Sequence, residues 1–203
     1  KFQDLKLIDS PKLHLISLEV SSEESIANAV ALVSTIVGEA GLDILINNAG
    51  IYHTMLCADE IPNKAELLQI FEINSIAPLI LSNKFRALLK KAATKKGSAQ
   101  IANISSGLGS LEMALLASDR PPVVYAMSKA ALNMLTRKLS SEWKEDGIRA
   151  TSFCPGWVRT DMGTQAAALD LDESTGPLSQ LIRSLQEDNN GLYYSYNGDR
   201  IPW

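Results

Sequence analysis

The sequence predicts an α/β fold built on a doubly wound parallel sheet. Short apolar runs of strand length alternate with longer segments of helical periodicity, which is typical of a parallel sheet with helices on both faces. In such sheets ligands bind beyond the carboxyl ends of the strands. Four predicted strands run directly into polar or glycine-containing stretches, so we expect those stretches to share one site. The ends of these predicted strands are Val20, Asn47–Gly50, Ser105–Ser106 and Pro155–Gly156.

Length and composition limit the classes of function. A chain of 203 residues suits one domain with a sizeable core. Hydrophobic residues make up 46% and charged residues 21% of the chain, which is ordinary for a globular protein. The net charge of −4 argues against nucleic acid as a partner. No apolar run looks long enough to span a bilayer, so we expect no membrane partner.

The histidines and cysteines predict no metal site. Cys57 and Cys154 are far apart and follow no metal-ligand spacing, and His14 and His53 are isolated. Small buried thiols fit a reducing compartment. We therefore predict a cytoplasmic protein without a bound metal.

The first third of the chain predicts two strands around one helix. Residues 1–8 resemble the end of a helix that Pro11 stops. Leu13–Val20 has strand length, and Ser21 with Glu24 has the spacing of a capping box. A helix then ends near Gly38 and Gly41, and its apolar positions are Ile26, Val30, Val33 and Val37. Asp43–Ile46 is predicted as the second strand.

The middle of the chain predicts a long helix and a third strand. Asn63 is expected to cap the helix, with Glu66 at the third helical position. Pro78 lies inside the pattern and should kink or split it. Lysines crowd the end of the helix before Gly97, where they compensate its dipole. Ala99–Ile104 is the third predicted strand.

The last part predicts a helix that carries Tyr125, followed by two strands. The apolar stripe of this helix is expected at Met127, Ala131, Leu135, Leu139 and Trp143. Ile148–Phe153 is the fourth strand, 157–176 a loop with short helical pieces, Ser179–Leu185 a helix and Gly191–Tyr196 a last short strand.

Tyr125 and Lys129 form the strongest candidate for chemistry. Four residues apart on a helix, they lie one turn from each other on one face. A cation at roughly 5 Å with an effective dielectric of about 20 favours a phenolate by about 3 kcal/mol, or roughly two pKa units. The pair is therefore expected to lower the pKa of the phenol for acid–base work. The spacing alone also fits a half-buried tyrosine beside a solvated lysine.

The motifs together resemble the short-chain dehydrogenase/reductase family, whose order they follow along essentially the whole chain. They are Asn47-Asn48-Ala49-Gly50, Asn74, Ser106, Tyr125-x-x-x-Lys129 and Pro155-Gly156-Trp157-Val158-Arg159-Thr160. The runs SKAALNMLTRKL and PGWVRTDMG and the closing NGDRIPW are similar to the carbonyl-reductase branch that includes the sniffer and C-factor proteins. The resemblance implies a Rossmann-like fold.

The resemblance assigns four catalytic residues. Tyr125 would protonate the carbonyl oxygen as hydride arrives at carbon, or act as base in the reverse direction. Lys129 would lower the pKa of Tyr125 and bind the nicotinamide ribose. Ser106 would hydrogen-bond the substrate oxygen, and Asn74 would hold a water that links Lys129 to solvent. Taken singly, Asn74 could instead be a polar cap near Pro78, and Ser106 a turn residue.

The resemblance also implies a nicotinamide cofactor, with NADP(H) favoured and NAD(H) allowed. Tyr125 and Lys129 would contact it, together with residues at the ends of the predicted strands. Those residues are Glu19 and Val20 beside adenine, Asn48, Ala49 and Gly50 beside the adenosine, and Pro155, Gly156, Val158 and Thr160 at the carboxamide or pyrophosphate.

Two features depart from the family pattern. Nineteen positions separate Ser106 from Tyr125, which is long for the family, so 111–122 reads as an insertion. No Gly-x-x-x-Gly-x-Gly turn for the pyrophosphate occurs in the sequence. We therefore expect 1–203 to be a single, N-terminally incomplete domain that lacks the first β-α-β unit, with sheet edges exposed.

Three functions remain open at this point. The first is an NAD(P)-dependent carbonyl reductase or alcohol dehydrogenase acting on a small, fairly apolar carbonyl or alcohol. The second is a non-catalytic truncated paralogue that signals or binds a partner. The third, epimerisation or dehydration, is disfavoured by Ser106 and the PGWVRTDMG run. The resemblance also allows a homodimer or homotetramer.

Overall fold

The computed structural model describes residues 10, 12–52, 63–115 and 122–203, and four parallel strands within them form one sheet. The strands are β1 (Ile44–Asn47), β2 (Ala99–Ile104), β3 (Ile148–Cys154) and β4 (Tyr193–Ser195), and they lie side by side in chain order. Their register places the carboxyl ends of β1, β2 and β3 at one rim, since Asn47 pairs with Asn103 and Ile104 with Phe153.

Five α-helices lie in the described ranges. They are α1 (Glu23–Val37), α2 (Lys64–Phe71), α3 (Ala77–Lys96), α4 (Val123–Glu142) and α5 (Leu171–Ser184). A π-helical turn, Glu72–Ile76, joins α2 to α3. Single 3-10 turns occur at Gly38–Ala40, Gly107–Gly109, Met113–Leu115, Lys144–Asp146 and Glu187–Asn189.

Alternating residues of the strands send their side chains to two separate cores. Ile101 and Ala150 pack with α1, α3 and α4, through residues such as Ile26, Leu89 and Leu139. The opposite face packs on α5 through another set, Ala102, Ile104, Phe153, Leu178 and Ile182. Helices therefore cover both faces, which confirms the doubly wound α/β prediction.

The predicted helix boundaries hold where a polar cap determines them. Asn63 accepts a hydrogen bond from the Glu66 amide at 3.1 Å and caps α2 as expected. Gly97 ends α3 in the left-handed conformation at φ 88°. At α1 the expected cap is wrong by one residue. Ser22, not Ser21, accepts from the Ser25 amide at 3.2 Å, while Ser21 bonds to Glu19.

The predicted strand at Leu13–Val20 does not form. Residues 13–19 have no regular structure, and no strand of the described ranges lies beside them. A strand exists through hydrogen bonds to a neighbour, and the apolar run alone cannot supply one. Leu13, Leu15 and Leu18 are between 39% and 46% exposed.

The expected apolar stripe of the Tyr125 helix is also wrong in part. Leu139 and Trp143 are buried as expected, but Met127 is 53% exposed. The face of α4 that meets the sheet is largely polar and includes Ser128, Lys129, Asn133, Thr136 and Ser140. The 157–176 loop also ends earlier than expected, because α5 begins at Leu171.

The continuous helical stretch Lys64–Lys96 is long and apolar enough to cross a membrane by length and composition alone, contrary to the sequence prediction. Its α3 part buries Leu81, Phe85 and Leu89 against the sheet. A core helix of a globular protein meets the same criterion. The predictions for residues 1–8, Pro11, His53, Cys57 and 116–121 of the expected insertion concern positions outside the described residues.

Candidate active site

Tyr125 and Lys129 face the rim at which β1, β2 and β3 end. The Lys129 ammonium lies 5.7 Å from the centre of the Tyr125 ring, so the predicted helical pair does share one face. Lys129 is only 4% exposed and donates to the carbonyl oxygen of Ile104, the last residue of β2, at 2.8 Å. The side chain thus reaches under the rim and not into solvent.

Ser106, which the resemblance assigns to the substrate oxygen, lies beside the Tyr125 hydroxyl. It follows β2 and begins the Gly107–Gly109 turn, and its hydroxyl is near enough to the phenol to lower the pKa of Tyr125. Its hydroxyl also accepts from the Leu108 amide at 3.3 Å. The turn therefore holds Ser106 against the phenol.

The expected lowering of the Tyr125 pKa is wrong for this structure. Burial raises the pKa of Tyr125 to about 12, and the hydrogen bond from Ser106 only partly offsets that rise. The ammonium of Lys129 is directed at the Ile104 carbonyl, and burial lowers its own pKa to about 8. Desolvation of both groups outweighs the attraction between them.

Asn74 connects the loop after β1 to the Tyr125 helix. Its amide accepts from Ile51 N–H at 2.8 Å and donates to Ile51 C=O at 2.9 Å. It also donates to the Ser128 hydroxyl at 3.0 Å, which in turn donates to the Tyr125 carbonyl at 2.7 Å. Asn74 is fully buried on the π-helical turn, and π-helical turns are frequent at functional sites.

Gly50 completes the site from the β1 side. A Cβ built on Gly50 would lie 3.3 Å from the Asn74 side-chain oxygen and 3.5 Å from the Lys129 ammonium. The missing side chain keeps the ammonium open on that side. Its predicted neighbours Asn48 and Ala49 lie exposed in the same loop.

The end of β3 adds a thiol that the sequence analysis gave only a packing role. Cys154 accepts from the Gly107 amide at 3.1 Å and the Gly156 amide at 3.4 Å, so it joins the Ser106 turn to the loop after β3. Gly156 has φ 80°, which favours glycine. Val158 pairs with Leu169, and Thr160 accepts from the Gly163 amide.

Glu19 and Val20 have no recorded contact with the other site residues in the described ranges. Glu19 is exposed, and its carboxylate accepts from the amide and hydroxyl of Ser21, which lower its pKa. Val20 packs against the core around Ile26. The structure therefore gives Glu19 a local turn contact.

Several neighbours of the site were missed by sequence reasoning. Tyr52 packs its ring at 80° against Tyr125, with ring centres 5.2 Å apart. Ser128 lies one turn from Tyr125, a spacing that could have indicated it. Asn133 and Tyr193 contact the Ser106 turn through tertiary packing, for which the sequence has no local signal.

Lys129 fits a ligand that presents hydroxyl groups. An ammonium has three N–H donors, and one acceptor, Ile104, is recorded for it in the described part of the chain. The nicotinamide ribose is a group of that kind. No set of three or more His, Cys, Asp or Glu side chains among the described residues could hold a metal ion.

Comparison with known proteins identifies the family. The family model described as short chain dehydrogenase matches residues 2–170. The C-signal protein of Myxococcus xanthus is 33% identical over 162 residues, covering 80% of this chain and 93% of its own. An uncharacterized oxidoreductase of Schizosaccharomyces pombe is 29% identical, covering 94% of this chain and 78% of its own.

Solved structures agree with this assignment. The NADPH-bound carbonyl reductase from chicken fatty liver superposes with a TM-score of 0.91 at 37% identity, covering 99% of this chain and 82% of its own. Carbonyl reductase Sniffer of D. melanogaster has a TM-score of 0.92 at 33% identity, with the same coverage. The chain belongs to the short-chain dehydrogenase family of oxidoreductases and resembles its carbonyl reductases.

Proposed function

We propose that this protein reduces a small carbonyl compound with NADP(H), and that Tyr125 supplies the proton. The observation that carries the proposal is the meeting of Tyr125, Ser106 and Lys129 at the rim of the sheet. The bound NADPH of the chicken carbonyl reductase supports the choice of cofactor. The substrate class follows from that relative and from Sniffer.

Tyr125 and Ser106 act on the carbonyl oxygen. A phenol with a pKa of about 12 is protonated at neutral pH, so it can give its proton to the oxygen as negative charge develops there. Ser106 hydrogen-bonds the same oxygen and is already oriented by its turn, so little reorganisation is needed. When bound, NADPH would be the source of the hydride for the carbonyl carbon. The product is the alcohol, and Tyr125 must then regain a proton.

Lys129 and Asn74 support this proton transfer. We assign Lys129 to the ribose hydroxyls, where its two remaining N–H groups find acceptors. Asn74 fixes Ile51 and Ser128, and through them the loop at Gly50 and the first turn of α4. The water that Asn74 is expected to hold stays part of the proposal.

The other cofactor contacts are proposed from their position at the rim. Asn48, Ala49 and Gly50 would meet the adenosine side, while Pro155, Gly156, Val158 and Thr160 would meet the nicotinamide side. Glu19 and Val20 would contact the adenine. Glu19 would then give up its hydrogen bonds from Ser21. Self-association into a dimer or tetramer and a cytoplasmic location remain proposals alongside these.

A second candidate function is that of a signalling or partner-binding module without catalysis. The 33% identity to the protein named C-signal favours it. Such a protein would need the fold and would not need the proton donor.

Binding of NADPH to the 203-residue chain separates the two candidates. Nicotinamide fluorescence should rise on mixing, and NADPH should be consumed when small apolar aldehydes and ketones are added. The matched control is Tyr125→Phe, which should retain the fluorescence rise without consumption. Absence of any fluorescence change at millimolar NADPH would overturn the reductase proposal for this chain and favour the signalling module.

A further inference from the structure

The turn that carries Ser106 is held from behind by a buried tyrosine of the last strand. Tyr193 donates its hydroxyl to the carbonyl oxygen of Ser106. That oxygen already accepts from the Gly109 amide at 2.7 Å within the turn. The Tyr193 bond is therefore not needed to satisfy the carbonyl, and it adds a tertiary contact between β4 and the turn.

A second side chain holds the other end of the same turn. Asn133 of α4 donates to the Gly109 carbonyl at 3.0 Å. Ser106 and Gly109 are thus each held by a buried polar side chain, Tyr193 of β4 and Asn133 of α4.

The turn also has no room to move toward α4. A Cβ on Gly109 would lie 2.8 Å from the backbone carbon and Cβ of Lys129. Because Tyr125 is on the same helix one turn earlier, the position of this turn determines how the Ser106 hydroxyl meets the phenol.

Tyr193 is itself fixed in place. It is 1% exposed, and its ring stacks on Trp203 with centres 5.3 Å apart and planes at 23°. Arg137 of α4 places its guanidinium 5.7 Å from the centre of the Trp203 ring. A phenylalanine would fill the same space without a buried hydroxyl, which is costly to desolvate unless it is hydrogen-bonded.

We propose that Tyr193, assisted by Asn133, is a positioning residue that holds Ser106 in hydrogen-bonding contact with Tyr125. The proposal rests on the proposed function only in giving Ser106 and Tyr125 their catalytic roles. Tyr193 acts through the Ser106 backbone, and it does not touch the substrate in this assignment.

The direct test is the NMR signal of Tyr125 in the full chain, labelled with a carbon isotope at the tyrosine ring carbon that bears the hydroxyl. Tyr125→Phe identifies the signal, and Ser106→Ala shows how far loss of the serine moves it. Tyr193→Phe should move the Tyr125 signal in the same direction as Ser106→Ala. The matched control is Tyr194→Phe, whose hydroxyl accepts from Asn189 at 2.7 Å outside the site and should leave the signal in place.

The outcomes separate this inference from the proposed function. A signal that moves in Ser106→Ala but not in Tyr193→Phe overturns the positioning role alone. A signal that moves in neither overturns the Ser106–Tyr125 contact and the inference with it. If Tyr193→Phe does not fold, Asn133→Ala takes its place, and an unmoved signal there also overturns the inference.

Kinetics supply a second readout if the chain reduces carbonyls. Tyr193→Phe should lower kcat roughly tenfold with little change in the KM for the carbonyl, because a small misplacement of a catalytic group affects the transition state most. Tyr194→Phe should change neither. An unchanged kcat in Tyr193→Phe, or equal losses in both variants, would contradict the inference.

Discussion

At the scale of single residues, the proposed role of Tyr125 depends on whether its phenol carries a proton. Burial raises its pKa to about 12, so at neutral pH nearly all molecules hold the proton that reduction consumes. Oxidation of the alcohol needs the phenolate. We infer that the site is arranged for reduction.

This predicts different pH dependences for the two directions. The phenolate fraction rises about tenfold for each pH unit below the pKa, so alcohol oxidation should rise at about that rate above neutrality. The rate of carbonyl reduction should stay nearly constant across the neutral range, from about pH 6 to about pH 8. Initial rates in both directions across this range check the prediction, and an oxidation rate that is independent of pH would contradict it.

Burial of the Lys129 ammonium lowers the free energy of unfolding, and this is the cost of placing the charge inside the protein. Below a pH of about 8 the amine is protonated in both the folded and the unfolded chain, and the cost is present in full. Between about 8 and 10.5 only the unfolded chain binds the proton, so the free energy of unfolding rises with pH in that window. The lowered pKa corresponds to about 3 kcal/mol.

Lys129→Met should therefore stabilise the protein at neutral pH by about 1–3 kcal/mol. This range allows for the loss of the hydrogen bond from Lys129 to the Ile104 carbonyl. The gain should shrink as the pH rises toward 10. Urea unfolding of both proteins at neutral and alkaline pH measures it. A gain of equal size at both pH values would show that charge burial is not its cause.

At the scale of elements, the π-helical turn Glu72–Ile76 is what brings Asn74 into the site. Pro78 follows it at the start of α3, where a missing amide is tolerated. The sequence predicted a kink or split at Pro78, whereas the helical stretch continues through Pro78 and has its π-helical turn just before it. The sequence could not predict that turn, because Asn74 on it is held by Ile51 and Ser128, far along the chain.

Asn74→Ala should cost about 2–4 kcal/mol of unfolding free energy, since it leaves the Ile51 amide and carbonyl and the Ser128 hydroxyl without their partner. The matched control is Asn63→Ala, which removes an exposed cap on the preceding helix and should cost about 1 kcal/mol. Chemical denaturation of the two variants gives the comparison. Equal losses would mean that the Asn74 contacts are not a buried network.

The elements that the sequence predicted well are those with a partner in the described chain. Ala99–Ile104 became β2 with its predicted bounds, and the rim at Asn47, Ser105 and Pro155 formed as expected. Leu13–Val20 failed because pairing is not a local property. The α4 stripe is right at Leu139 and Trp143 and wrong at Met127, which is exposed, because the sheet contacts the polar side of the helix near Tyr125.

At the scale of the whole molecule, a row of buried polar groups crosses the sheet one step below the rim. Asn47, Asn103 and Ser152 are register partners on β1, β2 and β3. Asn47 donates to Asn103 at 2.7 Å, Asn103 to Thr136 of α4 at 2.8 Å, and Thr136 bonds to Ser152 at 2.8 Å. Such a network favours one arrangement of strands and helix, and it aligns the strand ends that build the site.

The outer edge of β1 should affect how the 203-residue chain behaves in solution. In the described ranges no strand pairs with its outer side, and Ile46 is 50% exposed. Exposed apolar edge strands associate with other chains, and lysine on such an edge prevents this.

Ile46→Lys should lower light scattering of concentrated solutions while changing the free energy of unfolding by less than about 0.5 kcal/mol. Leu45→Lys is the contrasting variant, because Leu45 packs against the core and its replacement should unfold the domain. Scattering and urea unfolding of both variants give the answer. Unchanged association in Ile46→Lys would exclude this edge as its origin.

We propose that the Tyr125 phenol delivers the proton in carbonyl reduction. The most direct test is a single-turnover experiment in which the protein–NADPH complex is in excess over the carbonyl compound. The unaltered chain is compared with Tyr125→Phe. Loss of one hydroxyl should leave NADPH fluorescence on binding nearly unchanged and reduce the rate constant of NADPH oxidation by about 100-fold or more. Oxidation in Tyr125→Phe at the rate of the unaltered chain would contradict the claim.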